Sequence, residues 1–230
     1  ESKQVIYRTK ISDGSTTLMT NGKTSATYIT SLGHANDMDT CTIGNKYHLF
    51  VATMKTGSES LVKLQYSGNT YTQLGGYTLK HNGQNVAISG AKKYAKDSSY
   101  IYFLFFVTDG TENCVGVYRG KVPLNSNSGV VNISHAFDLN IGNALVNGST
   151  VPGLADYTRQ GIGYIASTDQ LLVPLTKKNV SIILVYDHAS TATGTVSANS
   201  NLSFRITSST YPTLFESEGC DETNGKLYFN

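Results

Sequence analysis

The chain has 230 residues, and 18 Lys and Arg against 16 Asp and Glu give it a formal net charge of +2. Only 15% of the residues are charged and 39% are hydrophobic, which argues against a disordered chain, a coiled coil and a dominant phosphate-binding surface. The 22 Gly and 15 Tyr, with no Trp and abundant Thr, Ser and Asn, favour β-strands joined by turns.

The sequence also bears on membrane insertion, nucleic-acid binding and secretion. No apolar run approaches the ~20 residues of a membrane span, so we expect no span. Isolated Lys pairs without a basic cluster argue against a nucleic-acid partner. The first residues lack the apolar segment of a signal peptide, which leaves open a mature secreted form or an excerpt of a longer chain. We expect a single domain over residues 1–230.

Three β-hairpins are predicted along the chain. Each has an apolar first strand, a polar turn and a second strand with a Tyr near its end: residues 47–53 with 60–68, 100–107 with 114–122, and 170–175 with 180–188. A segment rich in small residues precedes each hairpin, and a fourth, from Glu218, leads into KLYFN. A strand repeat of this length predicts a small β-propeller of four or five blades, with the small residues innermost.

The two ends of the chain resemble complementary halves of one hairpin. Residues 3–11 match a second hairpin strand, and residues 226–230 have no partner after them. The sequence therefore predicts that these ends pair and close the propeller. An ordinary edge strand in a β-sandwich is the alternative. Residues 138–159 are either a fifth, degenerate unit or an insertion.

Cysteine spacing gives no sign of a metal or disulfide framework. Cys41, Cys114 and Cys220 are far apart and form no CxxC pair. We therefore predict buried free thiols, no metal site and no cofactor.

Polar residues gather where the predicted inner strands begin. In a closed ring these starts would converge on one axial mouth, which predicts a ligand site. The candidate ligand-binding residues are His34, Asn36, Asp37, Gln160, Glu216 and Glu218. The alternative is that these groups only satisfy one another's hydrogen bonds around the axis.

Three motifs resemble the repeats of helveticin J-type proteins, which are class III bacteriocin-like proteins of Gram-positive bacteria. They are GHANDMDT from Gly33, RQGIGYIASTDQLLVPL from Arg159 and ESEGCDETNGKLYFN from Glu216. The resemblance implies an extracellular, non-enzymatic antibacterial or surface-binding role, and it supplies no catalytic residues. It leads us to expect a partner that is a cell-surface glycan or another carbohydrate.

Carbohydrate binding and carbohydrate hydrolysis are the two candidate functions. Tyr94, Tyr157, Tyr164 and Tyr211 are candidates for stacking on sugar rings. A glycoside hydrolase would need two facing carboxylates at roughly 5–10 Å. Asp37 and Glu218 are the catalytic candidates for that alternative, with Asp39 and Glu216 as second choices. No third carboxylate or Arg cluster supports it, so binding is the preferred interpretation.

Overall fold

A computed structural model describes residues 2–108 and 115–229 of the chain. Among these residues, the helical structure is the single 3-10 turn Leu154–Asp156, and β-strands form the rest of the regular structure. The expectation of an all-β chain is therefore confirmed. The strands, in chain order, are β1 (Tyr7–Thr9), β2 (Thr16–Leu18), β3 (Thr20–Asn21), β4 (Asp37–Ile43), β5 (Lys46–Ala52), β6 (Leu61–Ser67), β7 (Thr70–His81), β8 (Gln84–Asn85), β9 (Ala87–Lys96), β10 (Tyr100–Thr108), β11 (Gly116–Pro123), β12 (Gly129–Asn132), β13 (Ser134–Asn140), β14 (Leu145–Val146), β15 (Ser149–Thr150), β16 (Thr158–Arg159), β17 (Gly163–Ile165), β18 (Gln170–Lys177), β19 (Val180–Asp187), β20 (Gly194–Ser197), β21 (Phe204–Thr207), β22 (Cys220–Thr223) and β23 (Lys226–Phe229).

The strands form separate sheets. The first sheet has the order β12-β7-β6-β5-β4, with β3 and β8 added beside β7. The second sheet has the order β20-β13-β11-β10-β9. The third has the order β16-β18-β19-β21, and β17 also pairs with β18. Two short hairpins lie at the ends of the chain. We call β1–β2 the N-terminal hairpin and β22–β23 the C-terminal hairpin.

All three predicted hairpins are confirmed within the described residues. Strands β5 and β6, β10 and β11, and β18 and β19 each pair antiparallel. Strand β10 is almost wholly buried, which follows from its apolar run on both faces. The predicted small-residue segments supply β4, β9, β17 and β22, which pair directly with the strand that follows each of them. Cys114, predicted to lie in the second hairpin, falls outside the described residues.

Apolar side chains fill the spaces between successive layers of the fold. Between the first and second sheets, for example, the rings of Phe50 and Phe103 are 5.2 Å apart. Met19 and Leu64 pack between the N-terminal segment and the first sheet. Phe106 and Leu184 pack between the second and third sheets. Val185 and Cys220 pack between the third sheet and the C-terminal hairpin. The layers therefore follow one another in chain order.

The prediction of a closed propeller with four or five blades is wrong. The sheets remain separate, and among the described residues 3–11 and 226–229 the two ends of the chain do not pair with each other. Strand β1 instead folds back on β2, and β23 folds back on β22. Local turns explain both outcomes, because closing a short loop costs less conformational entropy than joining the chain ends.

Each of these two turns has its own stabilising chemistry. In the N-terminal hairpin the Asp13 carboxylate accepts a hydrogen bond from the Ser15 amide at 2.9 Å. In the C-terminal hairpin Asn224 and Gly225 both adopt positive φ angles, of 53° and 73°. An Asn-Gly pair in that conformation is the preferred two-residue hairpin turn.

Residues 138–159 form an insertion rather than a fifth unit. After β13 ends, they contain the small hairpin β14–β15, the 3-10 turn and β16, which joins the third sheet. Ala144, Val146 and Leu154 anchor this insertion in the core between the second and third sheets.

Candidate functional site

An open cleft lies where the two ends of the chain approach each other. Its volume is about 450 Å³, within the ~300–1,000 Å³ typical of ligand pockets. Residues 4–7 form one wall, residues 35–40 of and before β4 form the floor, and residues 218–221 with 228–229 form the other wall. Lys92 enters from β9. The cleft thus occupies the position where the sequence predicted a closing strand pair.

Half of the predicted ligand-binding residues line this cleft. Asn36, Asp37 and Glu218 do so, as does the second-choice carboxylate Asp39. Asn36 and Asp37 thus lie beside the same cleft as Glu218, although they are far from it in sequence. A ligand role for them stays a prediction.

The other three candidates lie away from the cleft lining. The Gln160 side chain is buried and donates a hydrogen bond to the Thr176 hydroxyl at 3.0 Å, so it serves the third sheet. His34 is exposed, and its backbone amide donates to the Thr53 carbonyl. Glu216 is also exposed and lies outside the lining.

Asp37 joins three parts of the fold. One carboxylate oxygen accepts a hydrogen bond from the Met38 amide at 2.9 Å. The other accepts from the Ala91 amide at 3.0 Å and from the Ile162 amide at 3.3 Å. A single buried side chain therefore connects β4, β9 and the segment that leads into β17.

Gly161 allows this close approach. Its backbone amide donates to the Glu218 carbonyl at 2.9 Å. A Cβ atom at this position would lie 2.9 Å from the same oxygen and 3.0 Å from the Asp37 carboxyl carbon. The segment can reach both Asp37 and the C-terminal hairpin only without a side chain.

Lys92 is a buried cation on the cleft floor. Its ammonium donates hydrogen bonds to the Met38 carbonyl at 2.9 Å and to Asp221 at 3.2 Å, and it lies 3.9 Å from Asp37. Its side chain is only 6% exposed. Burial by itself lowers the pKa of Lys92, but the carboxylates around it outweigh this effect and raise the pKa overall. The ammonium therefore stays charged.

Burial shifts the pKa of a carboxyl group upwards, the opposite of its effect on the pKa of Lys92. Burial raises the pKa of Asp37 to about 7, although Lys92 and the amides of Ala91 and Ile162 oppose the shift. Burial also raises the pKa of Asp39, against the influence of Lys92 and of a hydrogen bond from the Lys93 amide. These two groups belong to the interior of the site.

Two other carboxylates lie at the cleft mouth. Glu218 is exposed, and among the described residues its carboxylate has no hydrogen-bond or ion-pair partner. The Asp221 side chain is 51% exposed and contacts Lys92 through one oxygen. Both groups are therefore accessible to a ligand.

Exposed apolar side chains border the same cleft. Tyr7 is 57% exposed, Met38 47% and Phe229 41%, and Tyr228 is half-buried. Large apolar side chains on a protein surface are informative when they cluster beside polar groups in a concave site. The tyrosines that the sequence suggested as sugar contacts, Tyr94, Tyr157, Tyr164 and Tyr211, are not among the residues that line it.

Sequence reasoning missed Lys92, Asp221 and the terminal aromatic residues. Lys92 follows three small residues, Ser89, Gly90 and Ala91, at the end of the buried part of strand β9. A Lys in such a position needs a carboxylate partner, and this was the signal that could have identified it. The incorrect pairing of the chain ends places Tyr7 and Phe229 in a strand pair, so the sequence does not predict their exposure beside a cleft.

The described residues contain no group of three or more His, Cys, Asp or Glu side chains placed to hold a metal ion. Within the same residues, none of the helical structure has the length and apolar character needed to cross a membrane. No protein-family model matches the chain, and no curated protein matches it either.

Proposed function

We propose that this protein binds glycans and holds a stretch of sugar units in the cleft between its N-terminal and C-terminal hairpins. The observation that carries the proposal is the lining of the cleft. Exposed aromatic and Met side chains lie there beside exposed carboxylates.

Sugar rings match this combination of groups. Each ring has an apolar C–H face and a rim of hydroxyl groups. Tyr7, Tyr228 and Phe229 offer apolar surfaces for the C–H faces, at a low entropic cost because aromatic side chains have few rotatable bonds. Glu218 and Asp221 offer acceptors for the hydroxyl groups.

We favour binding over hydrolysis because the Asp37 carboxyl group is buried and already hydrogen-bonded within the protein. Its carboxylate oxygens already accept hydrogen bonds from three backbone amides, and Lys92 lies close to one of them. The Asp37 side chain is also only 3% exposed, so a substrate in the cleft has little access to its oxygens. The pair Asp37 and Glu218 is therefore a poor candidate for a catalytic pair.

The target surface is proposed from the sequence resemblance. Similarity to helveticin J-type proteins supports an extracellular protein that acts at bacterial cell surfaces, where cell-wall glycans are the abundant carbohydrate. The same resemblance is the ground for proposing an antibacterial role.

The proposal is tested by a co-sedimentation assay with insoluble peptidoglycan sacculi from a Gram-positive bacterium, together with a glycan array. We expect the wild-type protein to be retained, and we expect Tyr7→Ala to lose most of the binding because it removes an exposed stacking surface from the cleft. Tyr211→Ala is the matched control, since Tyr211 is 60% exposed but lies outside the cleft lining. The proposal is wrong if both variants bind the sacculi equally well, or if the wild-type protein binds neither the sacculi nor any glycan on the array.

A further inference from the structure

A second, smaller cavity lies between the N-terminal segment and the first sheet. Its volume is about 210 Å³. Residues 6–9, in and before β1, form one side of it, and the residue after β2 and one residue each from β4, β5 and β6 complete its lining: Met19, Met38, Leu49 and Tyr66. An apolar cavity of about 150 Å³ is large enough to bind benzene, so this cavity can hold an apolar group of a ligand.

The lining of this cavity is mainly apolar and contains flexible side chains. Met19 and Leu49 belong to the hydrophobic cluster that joins the N-terminal segment to the first sheet. Among the described residues the lining contains no carboxylate, and its charged member, Arg8, is exposed and donates a hydrogen bond to the Gly68 carbonyl at 2.7 Å. Met19 and Met38 have unbranched side chains that adjust to irregular apolar groups. Such a surface suits an alkyl chain better than a sugar ring, whose hydroxyl groups would find few hydrogen-bond partners there.

The cavity adjoins the proposed glycan cleft. Ile6, Tyr7, Met38 and Leu49 line both of them. Tyr7 is 57% exposed and Met38 47%, so surface side chains form part of the border between the two spaces. A ligand can therefore extend from the cleft into the cavity past Tyr7 and Met38 without opening the buried core.

Filling the cavity with an alkyl chain is energetically favourable. Apolar walls offer water few hydrogen bonds, and walls without neighbouring atoms lack the packing contacts of a filled core. An alkyl chain supplies these contacts and removes its own apolar surface from water. At roughly 30 Å³ for each water-sized group, the volume of about 210 Å³ corresponds to about seven methylene groups.

We infer that the protein binds glycans that carry an alkyl or acyl chain, with the sugar units in the cleft and the start of the chain in the adjoining cavity. This inference rests on the proposed function and specifies the ligand class of the same site, which is a glycolipid. A glycan without a chain would occupy the cleft alone and would bind more weakly.

The experiment measures the binding of β-alkyl glycosides of the N-acetylglucosamine tetrasaccharide by calorimetry. The chains range from methyl to dodecyl, and each compound is used below the concentration at which it forms micelles. We expect about threefold tighter binding for each added methylene group, the fold change that corresponds to burial of one such group. The gain should stop at about seven carbons, when the cavity is full. Adsorption to exposed apolar surface would instead keep increasing with chain length.

Two variants change the size of the cavity in opposite directions. Met19→Trp fills part of it and should end the gain at a shorter chain, whereas Tyr66→Ala enlarges it and should move the limit to a longer chain. Tyr66 is only half-buried, so this second variant tests the limit even if Met19→Trp does not fold. Both residues lie outside the cleft lining, so binding of the methyl glycoside should stay at the wild-type level.

Val130→Trp is the matched control for these variants. Val130 is 57% exposed on β12 and lines neither the cleft nor the cavity. This variant should keep the wild-type limit on chain length.

The outcomes separate this inference from the proposed function. The inference is wrong, and glycan binding still stands, if the methyl glycoside binds as tightly as the longer ones, if the gain continues to dodecyl, or if both cavity variants keep the wild-type limit. A dimer in analytical ultracentrifugation that the octyl glycoside does not dissociate would show that a second copy fills the cavity, which would also overturn the inference. Failure of the wild type to bind any glycoside, the sacculi or the array overturns both proposals.

Discussion

The carboxylate of Asp37 accepts a hydrogen bond from the backbone amide of Ile162, which lies 125 positions later in the chain, at 3.3 Å. This contact ties the inner edge of the first sheet to the segment that enters the third sheet. The same segment holds the C-terminal hairpin through the Gly161 amide. Asp37 therefore positions both the floor and one wall of the cleft, and we interpret it as a positioning residue.

Removal of the Asp37 carboxylate should destabilise the whole fold. Asp37→Ala leaves the amides of Ala91 and Ile162 and the Lys92 ammonium without their shared partner in a buried site. We expect a loss of about 3 kcal/mol in the free energy of unfolding, measured by urea denaturation. Asp156→Ala is the control, because that side chain is 71% exposed. Losses of similar size in the two variants would contradict the positioning role.

The stability of the protein should also depend on pH through Asp37. Burial raises the pKa of this group to about 7 from an ordinary value of 3.8. Between these values the folded chain keeps a proton that the unfolded chain releases, so this group lowers the free energy of unfolding as pH rises from 3.8 to about 7. Asp37→Asn cannot ionise. The stability of the wild type minus that of Asp37→Asn should therefore fall across this window and level off above it, and a rising difference would count against the assignment.

Gly161 should tolerate no side chain. In Gly161→Ala the new methyl group would lie 2.9 Å from the Glu218 carbonyl and 3.0 Å from the Asp37 carboxyl carbon. We expect a loss of about 2 kcal/mol from this overpacking, together with weaker glycan binding as the cleft wall shifts. At Gly142 an added Cβ meets only the Ala155 Cβ at 3.5 Å, an ordinary contact, so Gly142→Ala is the matched control. A stable Gly161→Ala protein with normal thermal unfolding would show that the segment can move aside.

The thiols of Cys41 and Cys220 should be protected in the native state. Their side chains are buried, and burial raises the pKa of Cys220 to about 12 and that of Cys41 above its ordinary value. Thiolate formation is required for reaction with a disulfide reagent. In a Cys114→Ser background, both thiols should react with Ellman's reagent only after unfolding. Rapid reaction of the native variant would show that one of them is accessible.

Much of the local structure could be predicted from the sequence. The alternation of short apolar runs with Gly- and Asn-containing turns identified the three central hairpins, because strand pairing across a short turn depends mainly on nearby residues. The long-range closure was wrong because the same local preference acts at both ends. The turns around Asp13 and Asn224 pair each terminal strand with its own neighbour.

The candidate site was predicted only in part, for a related reason. Asp37 and Glu218 were identified because polar residues at the start of a buried strand are unusual, and both line the cleft. Gln160 had the same pattern but satisfies its hydrogen bond within the third sheet. Lys92 was missed because its role depends on three carboxylates from other strands, which only the tertiary structure brings together.

The most direct test of glycan binding in the cleft is an amide chemical-shift titration of isotope-labelled protein. Solubilised peptidoglycan fragments and N-acetylglucosamine oligosaccharides would be added in turn. The account predicts that the largest saturable shifts occur at residues 4–7, 36–40, 218–221 and 228–229, which line the cleft. Saturable shifts confined to the insertion at 138–159, or no shifts with either ligand, would contradict it.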